Sequence, residues 1–198
     1  MRKNENFKRL VIILTAAVMI LSVASVVNAE FFDFESDDGG WFATASWDPI
    51  GDWEYTDNYD VSNYLGDNTP PPTAYSGDGL WGTIIYDDYT NSGGETYLSQ
   101  TFDFSSVAPA DAKLSFYSWE DAFGSWDYCY INVNGNEEYY SEDYSPTAWK
   151  YVEVDLASYA GLSSVEIVFG MHASSVVNYA GWYIDDVQVG PGGPSGSG

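Results

Sequence analysis

The sequence predicts an all-β protein, an antiparallel β-sandwich of the jelly-roll kind. Short segments rich in Val, Ile, Tyr, Phe and Trp recur along it, separated by clusters of Gly, Asn, Asp, Ser and Pro, the pattern of many short strands joined by turns. No long stretch keeps the 3.6-residue apolar period of a helix. The number and even spacing of the segments suit two packed sheets.

In chain order, strands are expected over Phe31 to Glu35, Trp41 to Trp47, Leu80 to Tyr86, Thr96 to Phe104, Lys113 to Trp119, Asp127 to Val133, Glu137 to Tyr140, Trp149 to Asp155, Val165 to Phe169 and Gly181 to Val189. Between the second and third, Gly51 to Thr73 is polar and holds Pro70, Pro71 and Pro72, which cannot donate ladder hydrogen bonds. It reads as an extended loop. In Lys113 to Trp119, Leu114 and Phe116 point inward and Tyr117 and Trp119 outward by period-two alternation. Asp127 to Val133 places Cys129, Ile131 and Val133 on the core face, with Tyr128, Tyr130 and Asn132 opposite. Asn134-Gly135 follows directly, and both residues tolerate the positive φ of a type I′ turn, so a tight hairpin to Glu137 is expected. In Trp149 to Asp155 the core face belongs to Val152 and Val154, leaving Trp149, Tyr151, Glu153 and Asp155 outside.

Residues 1–29 stand apart from the fold. Arg2, Lys3, Lys8 and Arg9 precede an apolar run from Leu10 to Val27, and Val27-Asn28-Ala29 supplies small residues around a cleavage point before Glu30. These are the three parts of a secretory signal peptide. The run is nearly long enough to serve as an uncleaved anchor, but Thr15 and Ser22 interrupt it. The sequence therefore divides into a signal peptide over 1–29, one domain over 30–189 and a flexible Gly/Pro/Ser-rich tail over 190–198. Export predicts a secreted or cell-surface location, with no membrane insertion after cleavage.

Charge narrows the function. Of 6 basic and 30 acidic residues, the signal holds four and one. The remainder carries 29 carboxylates against Lys113 and Lys150 alone. Such a surface repels phosphate backbones, which excludes nucleic acid as a partner. The same repulsion would be relieved by divalent cations or by salt. Disorder does not account for the acidity, because all 8 Trp and all 17 Tyr lie beyond the signal, and disordered chains are poor in aromatics. Cys129 is the only cysteine, which rules out an intrachain disulfide, and its alternation makes it a buried, unreactive core residue.

In their order, the runs AYSGDGLWGTIIYDDY, YLSQTFDFSS, KLSFYSWED, WDYCYINVNG, WKYVEVDLASYAG and GWYIDDVQV resemble the MAM-like jelly-roll modules of secreted bacterial and archaeal proteins. That module also accompanies the catalytic domain of immune-inhibitor-A-type metallopeptidases. The resemblance spans roughly Phe31 to Val189 and implies an extracellular sandwich that binds or adheres without catalysis. A His-Glu-x-x-His zinc motif is absent, His172 being the only histidine.

The segment GWYIDDVQV suggests a cation. If Val187 and Val189 face the core, alternation places Tyr183 and Asp185 there too, and a buried carboxylate needs compensation that two lysines cannot supply. The resemblance implies a structural calcium where the first strand, the Ser-Gly loop and the last strand meet. The matching groups are Glu35, Asp78 and Asp185, with Asp186 as substitute if the register shifts by one. All are hard oxygen ligands. The alternative is that Asp185 caps backbone N–H groups and the other acids are solvated.

A second set comprises Tyr117, Trp119, Tyr128, Tyr130, Trp149 and Tyr151, all placed opposite the core. Exposed, they would stack on sugar C–H faces and bind carbohydrate. Alternatively the Gly51 to Thr73 loop or a second protomer covers them. Catalysis lacks support: with 29 carboxylates, some pair always has a glycosidase-like separation, and no nucleophile elbow surrounds Ser174 or Ser175 beside His172. The sequence thus predicts a non-catalytic, calcium-stabilised binding or adhesion module. Its expected partner is a surface or matrix protein or a polysaccharide, with self-association left open.

Overall fold

A computed structural model describes residues 29–45 and 53–190. The basic and apolar parts of the expected signal peptide, the strand end at Trp47 and the tail from 191 lie outside the described residues. Within them eleven strands form: β1 (Glu30–Phe32), β2 (Phe42–Ala45), β3 (Trp53–Thr56), β4 (Leu80–Thr83), β5 (Gly94–Phe102), β6 (Lys113–Asp121), β7 (Tyr128–Val133), β8 (Asn136–Ser141), β9 (Lys150–Asp155), β10 (Val165–Ala173) and β11 (Gly181–Val189). One sheet runs β3-β4-β11-β6-β9 with β1 also on β11, and the other runs β2-β5-β10-β7-β8. Every pairing is antiparallel, so the protein is the antiparallel sandwich that its sequence predicts.

Alternation builds the core as expected. Val165, Ile167, Phe169, Met171 and Ala173 of β10 are fully buried, as are Cys129, Ile131 and Val133 of β7. They meet Leu114, Phe116, Trp182, Ile184 and Val187 of the opposing sheet. Phe169 sits at the centre, with ring centroids 5.1 Å from Phe116, 5.4 Å from Trp41 and 5.4 Å from Trp182. Burial raises the Cys129 thiol well above its usual pKa, in keeping with an inert core residue. The hairpin at Asn134-Gly135 forms with both residues at positive φ, 49° and 81°.

Several strand bounds differ from expectation. β1 ends at Phe32, short of Glu35, with Phe34 at positive φ, and β6 runs on to Asp121. β3 falls inside the stretch expected to be loop, where Trp53 is buried against Trp182. The expected Leu80 to Tyr86 strand stops at Thr83, because Ile84 turns to positive φ. β10 runs on to Ala173, carrying His172 into the sheet.

A second apolar cluster lies on the outer face of the six-stranded sheet. Leu80, Trp119 and Tyr183 project there and are covered by Tyr59 and Ala74 from residues 57–79, the strap, together with Ile85. Trp119 Nε1 donates to Thr69 O at 3.1 Å, Trp149 Nε1 to Thr73 O at 3.1 Å, and Tyr59 OH to Pro71 O at 2.7 Å. The prolines thus shape a segment whose carbonyls are tied down by the rings it covers.

Candidate functional site

Glu35, Asp78, Asp185 and Asp186, the residues expected to bind calcium, lie around one corner of the six-stranded sheet, where backbone N–H groups donate to the carboxylates of Glu35 and Asp185. β11 is flanked on one edge by β4 at Tyr183 and Ile184 and by β1 at Val187 to Val189. The gap between them is closed by the Ser76-Gly77-Asp78-Gly79 turn and the chain leaving β1. A β-bulge falls in this gap: Asp185 pairs with Tyr117 and Gln188 with Ser115, three steps against two, and Asp186 adopts φ 48°. The bulge reverses the alternation. Ile184 and Val187 both face the core, so Asp185 does not share the face of Val187. It lies beside Tyr117 on the outer side, and the strap buries it there.

Backbone amides supply the compensation at this corner. Asp185 Oδ2 accepts from the N–H of Tyr75 at 2.9 Å and of Ser76 at 3.0 Å, and Oδ1 accepts from the N–H of Asp186 at 2.6 Å. Ser76 Oγ donates to Asp186 Oδ1 at 2.8 Å. Glu35 accepts from the N–H of Asp78 and Gly79. Gly77 is required beneath it: φ is +48°, and a Cβ would stand 2.1 Å from the Glu35 carboxyl. Burial pushes Asp185 up to about 8 despite the three N–H donors, with Asp186 adding to the rise. Burial likewise raises Asp186, and Asp33 and Glu35 contribute. The corner has the oxygen chemistry of a hard-cation site. Among the described residues, no group of three His, Cys, Asp or Glu side chains is gathered closely enough to hold a metal ion by itself.

The six aromatics divide between the two sheets. Trp119 is only 2% exposed, Tyr75 of the strap stacks on Tyr117, and Trp149 packs edge-on against Trp119. Their expected role as an open sugar platform is therefore corrected: the strap covers them, since their combined apolar area is too large to leave wet. Tyr151 stays exposed, tilted against Tyr117.

Tyr128 and Tyr130 occupy the outer face of the five-stranded sheet, and register assembles a platform around them. In one row, Glu95 of β5, His172 of β10 and Tyr128 of β7 lie side by side. In the next, Tyr97, Gly170, Tyr130 and Tyr140 span β5, β10, β7 and β8. Tyr128 stacks on His172 at 4.8 Å and 18°, and leans on Tyr140 at 5.1 Å. Gly170 allows Tyr130 to lie flat, because a Cβ there would come within 2.3 Å of the ring. Glu95 ties the rows together. It accepts from the hydroxyls of Tyr97 and Tyr130, the latter at 3.3 Å, and stands 3.4 Å from His172 Nδ1. Burial and the nearby Glu95 raise the pKa of Tyr97, Tyr128 and Tyr130, so these phenols are protonated donors at neutral pH. Tyr140 is 45% exposed, and Tyr128 and His172 are half-buried. Sequence reasoning missed Glu95, Tyr97, Tyr140 and His172; the alternation of His172 with Phe169 and Met171 was the available signal.

No family model matches the chain. Over 164 residues it is 28% identical to bacillopeptidase F of Bacillus subtilis (strain 168), covering 79% of this chain and 10% of that protein. The chain thus spans about a tenth of that relative's length. Among solved structures it is similar to the K1 cleaved adhesin domain of Lys-gingipain from Porphyromonas gingivalis W83, with 14% identity, a TM-score of 0.53 and coverage of 84% of this chain and 100% of that one. It is also similar to TmCBM61, solved in complex with β-1,4-galactotriose, with 15% identity, a TM-score of 0.49 and coverage of 77% and 89%. The likeness to the adhesin domain concerns the fold alone.

Proposed function

We propose that the chain is a non-catalytic, extracellular binding module whose ligand is a polysaccharide, held on the tyrosine face of the five-stranded sheet. One observation carries this reading: Tyr128, Tyr140 and His172 form a ring platform on the outer sheet face, over the buried Tyr130 and a carboxylate that orients two phenol hydroxyls. Sugar C–H faces stack on such rings, and hydroxyls bond to groups like Glu95 at the platform's edge. Each ring contributes about 1 kcal/mol beyond the area it covers. The fold is similar to that of an adhesin domain, which accords with a binding role. The match to bacillopeptidase F covers a tenth of that protein and does not bring peptide hydrolysis to this chain. Export rests on residues 1–29.

A structural calcium at the corner of Asp33, Glu35, Asp78, Asp185 and Asp186 is the second part of the proposal. Both lysines of the folded domain pair elsewhere, Lys113 with Glu153 and Lys150 with Asp143, so these acids have no basic partner among the described residues. A divalent cation would relieve their repulsion.

The experiment that tests the ligand is affinity electrophoresis against a panel of neutral polysaccharides, with Tyr128→Ala and Tyr140→Ala beside the parent chain. Retention by a polysaccharide that both variants lose is the expected result. Retention indifferent to both variants would move the site elsewhere. Its absence on every polysaccharide would favour a surface or matrix protein as partner.

A further inference from the structure

β9 begins at Lys150, opposite Ser118, so the last residues of β6 run past the end of their partner strand. They face the connection 142–149 instead. The inner row of β6, Leu114, Phe116 and Ser118, continues to Glu120, which is 3% exposed. Glu120 Oε1 accepts from Ser118 Oγ at 2.5 Å and from Tyr139 OH at 2.7 Å. Its Oε2 is buried without any hydrogen-bond donor, an uncommon state for a carboxylate oxygen. Beside it lies a cavity of about 200 Å³ lined by Glu120, Asp143, Tyr144, Pro146, Ala148 and Lys150.

The lining specifies a ligand chemistry. Glu120 offers a bare acceptor. Lys150 Nζ donates to Asp143 Oδ2 at 2.8 Å and to Tyr139 OH at 3.3 Å, which leaves one of its three N–H bonds to give. Pro146 and Ala148 are apolar walls. Tyr144 is 54% exposed, its ring braced on Phe123 at 5.3 Å. An anion would meet two carboxylates, and a cation would meet the Lys150 ammonium and waste its spare donor. A neutral polyol satisfies both polar groups and packs a C–H face on Tyr144.

We propose that this cavity binds a single neutral sugar residue, a chain end or a branch, whose hydroxyls accept from Lys150 Nζ and donate to Glu120 Oε2 once a small rotation of the carboxylate turns that buried oxygen into the cavity. The choice of ligand rests on the polysaccharide reading, but the site is separate from the tyrosine face. Glu120 and Tyr139 point between the sheets, whereas Tyr128, Tyr140 and His172 point outward from one of them.

The test is calorimetric titration of the full chain with glucose, galactose, mannose and xylose, each alone, and with the variants Glu120→Gln and Ala148→Trp. Leu65→Ala, an 80% exposed strap position, is the control. At least one sugar binds saturably, Glu120→Gln weakens it by about tenfold or more, and Ala148→Trp abolishes it by filling the cavity from an exposed position. Should Glu120→Gln fail to fold, Ala148→Trp decides the matter. Saturable binding that neither variant reduces overturns the pocket. So does absence of binding by all four sugars, whether or not polysaccharide is retained. The tyrosine face is judged separately by Tyr128→Ala on polysaccharide: loss there without monosaccharide binding leaves the face standing and the pocket refuted, and the converse pattern refutes the face alone.

Discussion

Raising the pH toward 8 destabilises the fold through Asp185. Its carboxyl titrates at about 8 in the folded chain against 3.8 when solvated, because burial under the strap outweighs three N–H donors. The folded pKa is the higher one, so folding takes up a proton between these values. The contribution of this group to stability is full below the unfolded pKa and lost as pH rises through the window. Each pH unit inside the window costs about 1.4 kcal/mol, which gives about 3 kcal/mol between about pH 5 and about pH 7. A chain of this size loses roughly 2–4 °C of melting temperature per kcal/mol, so a fall of about 6–12 °C is expected. Near-UV circular dichroism melts across this range measure it, in about 1 M NaCl, where the Debye length is about 3 Å and surface repulsion is screened. Asp185→Asn, which does not titrate, should flatten the dependence. A melting temperature that rises with pH, or an unchanged slope in Asp185→Asn, refutes the reasoning.

Trp119→Ala removes a ring that the strap buries on the six-stranded sheet, at a cost of about 3–5 kcal/mol; the melting temperature should drop by about 10 °C with polysaccharide retention preserved at temperatures where the variant is folded. Gly170→Ala forces a Cβ to within 2.3 Å of Tyr130, so the ring must lift. The variant should fold with about 1–3 kcal/mol lost, and retention on polysaccharide should weaken markedly. Calcium should raise the melting temperature at about pH 8, where Asp185 and Asp186 are most ionised, and chelation should reverse the rise, by mass action on the folded state. Equal melts with calcium and with chelator would remove the ion from the account.

The sandwich was legible because its strands obey a simple alternation: Cys129, Ile131 and Val133 are buried as a set, and Asn134-Gly135 turns where a hairpin requires positive φ. The alternation misleads at Asp186, where a non-glycine residue takes φ 48° and inserts an extra step. Nothing in GWYIDDVQV marks that bulge, so Asp185 was placed on the wrong face. The nearness of Glu35, Asp78, Asp185 and Asp186 came from the resemblance, not from spacing; that Asp185 meets backbone N–H groups was one of the two readings left open, and which amides donate depends on how the strap lies. The platform was half legible. Tyr128 and Tyr130 follow from the alternation of β7, whereas Glu95, Tyr97, Tyr140 and His172 join them only through the register of four strands that sequence separates widely.

The decisive measurement is the affinity of the chain for whichever neutral polysaccharide retains it, compared with that of Tyr128→Ala by calorimetry at one ionic strength. Loss of a ring stacked on His172 and tilted against Tyr140 should weaken binding about tenfold, about 1.4 kcal/mol, with the melting temperature nearly unchanged. Equal affinity of the two proteins for that polysaccharide would contradict the account.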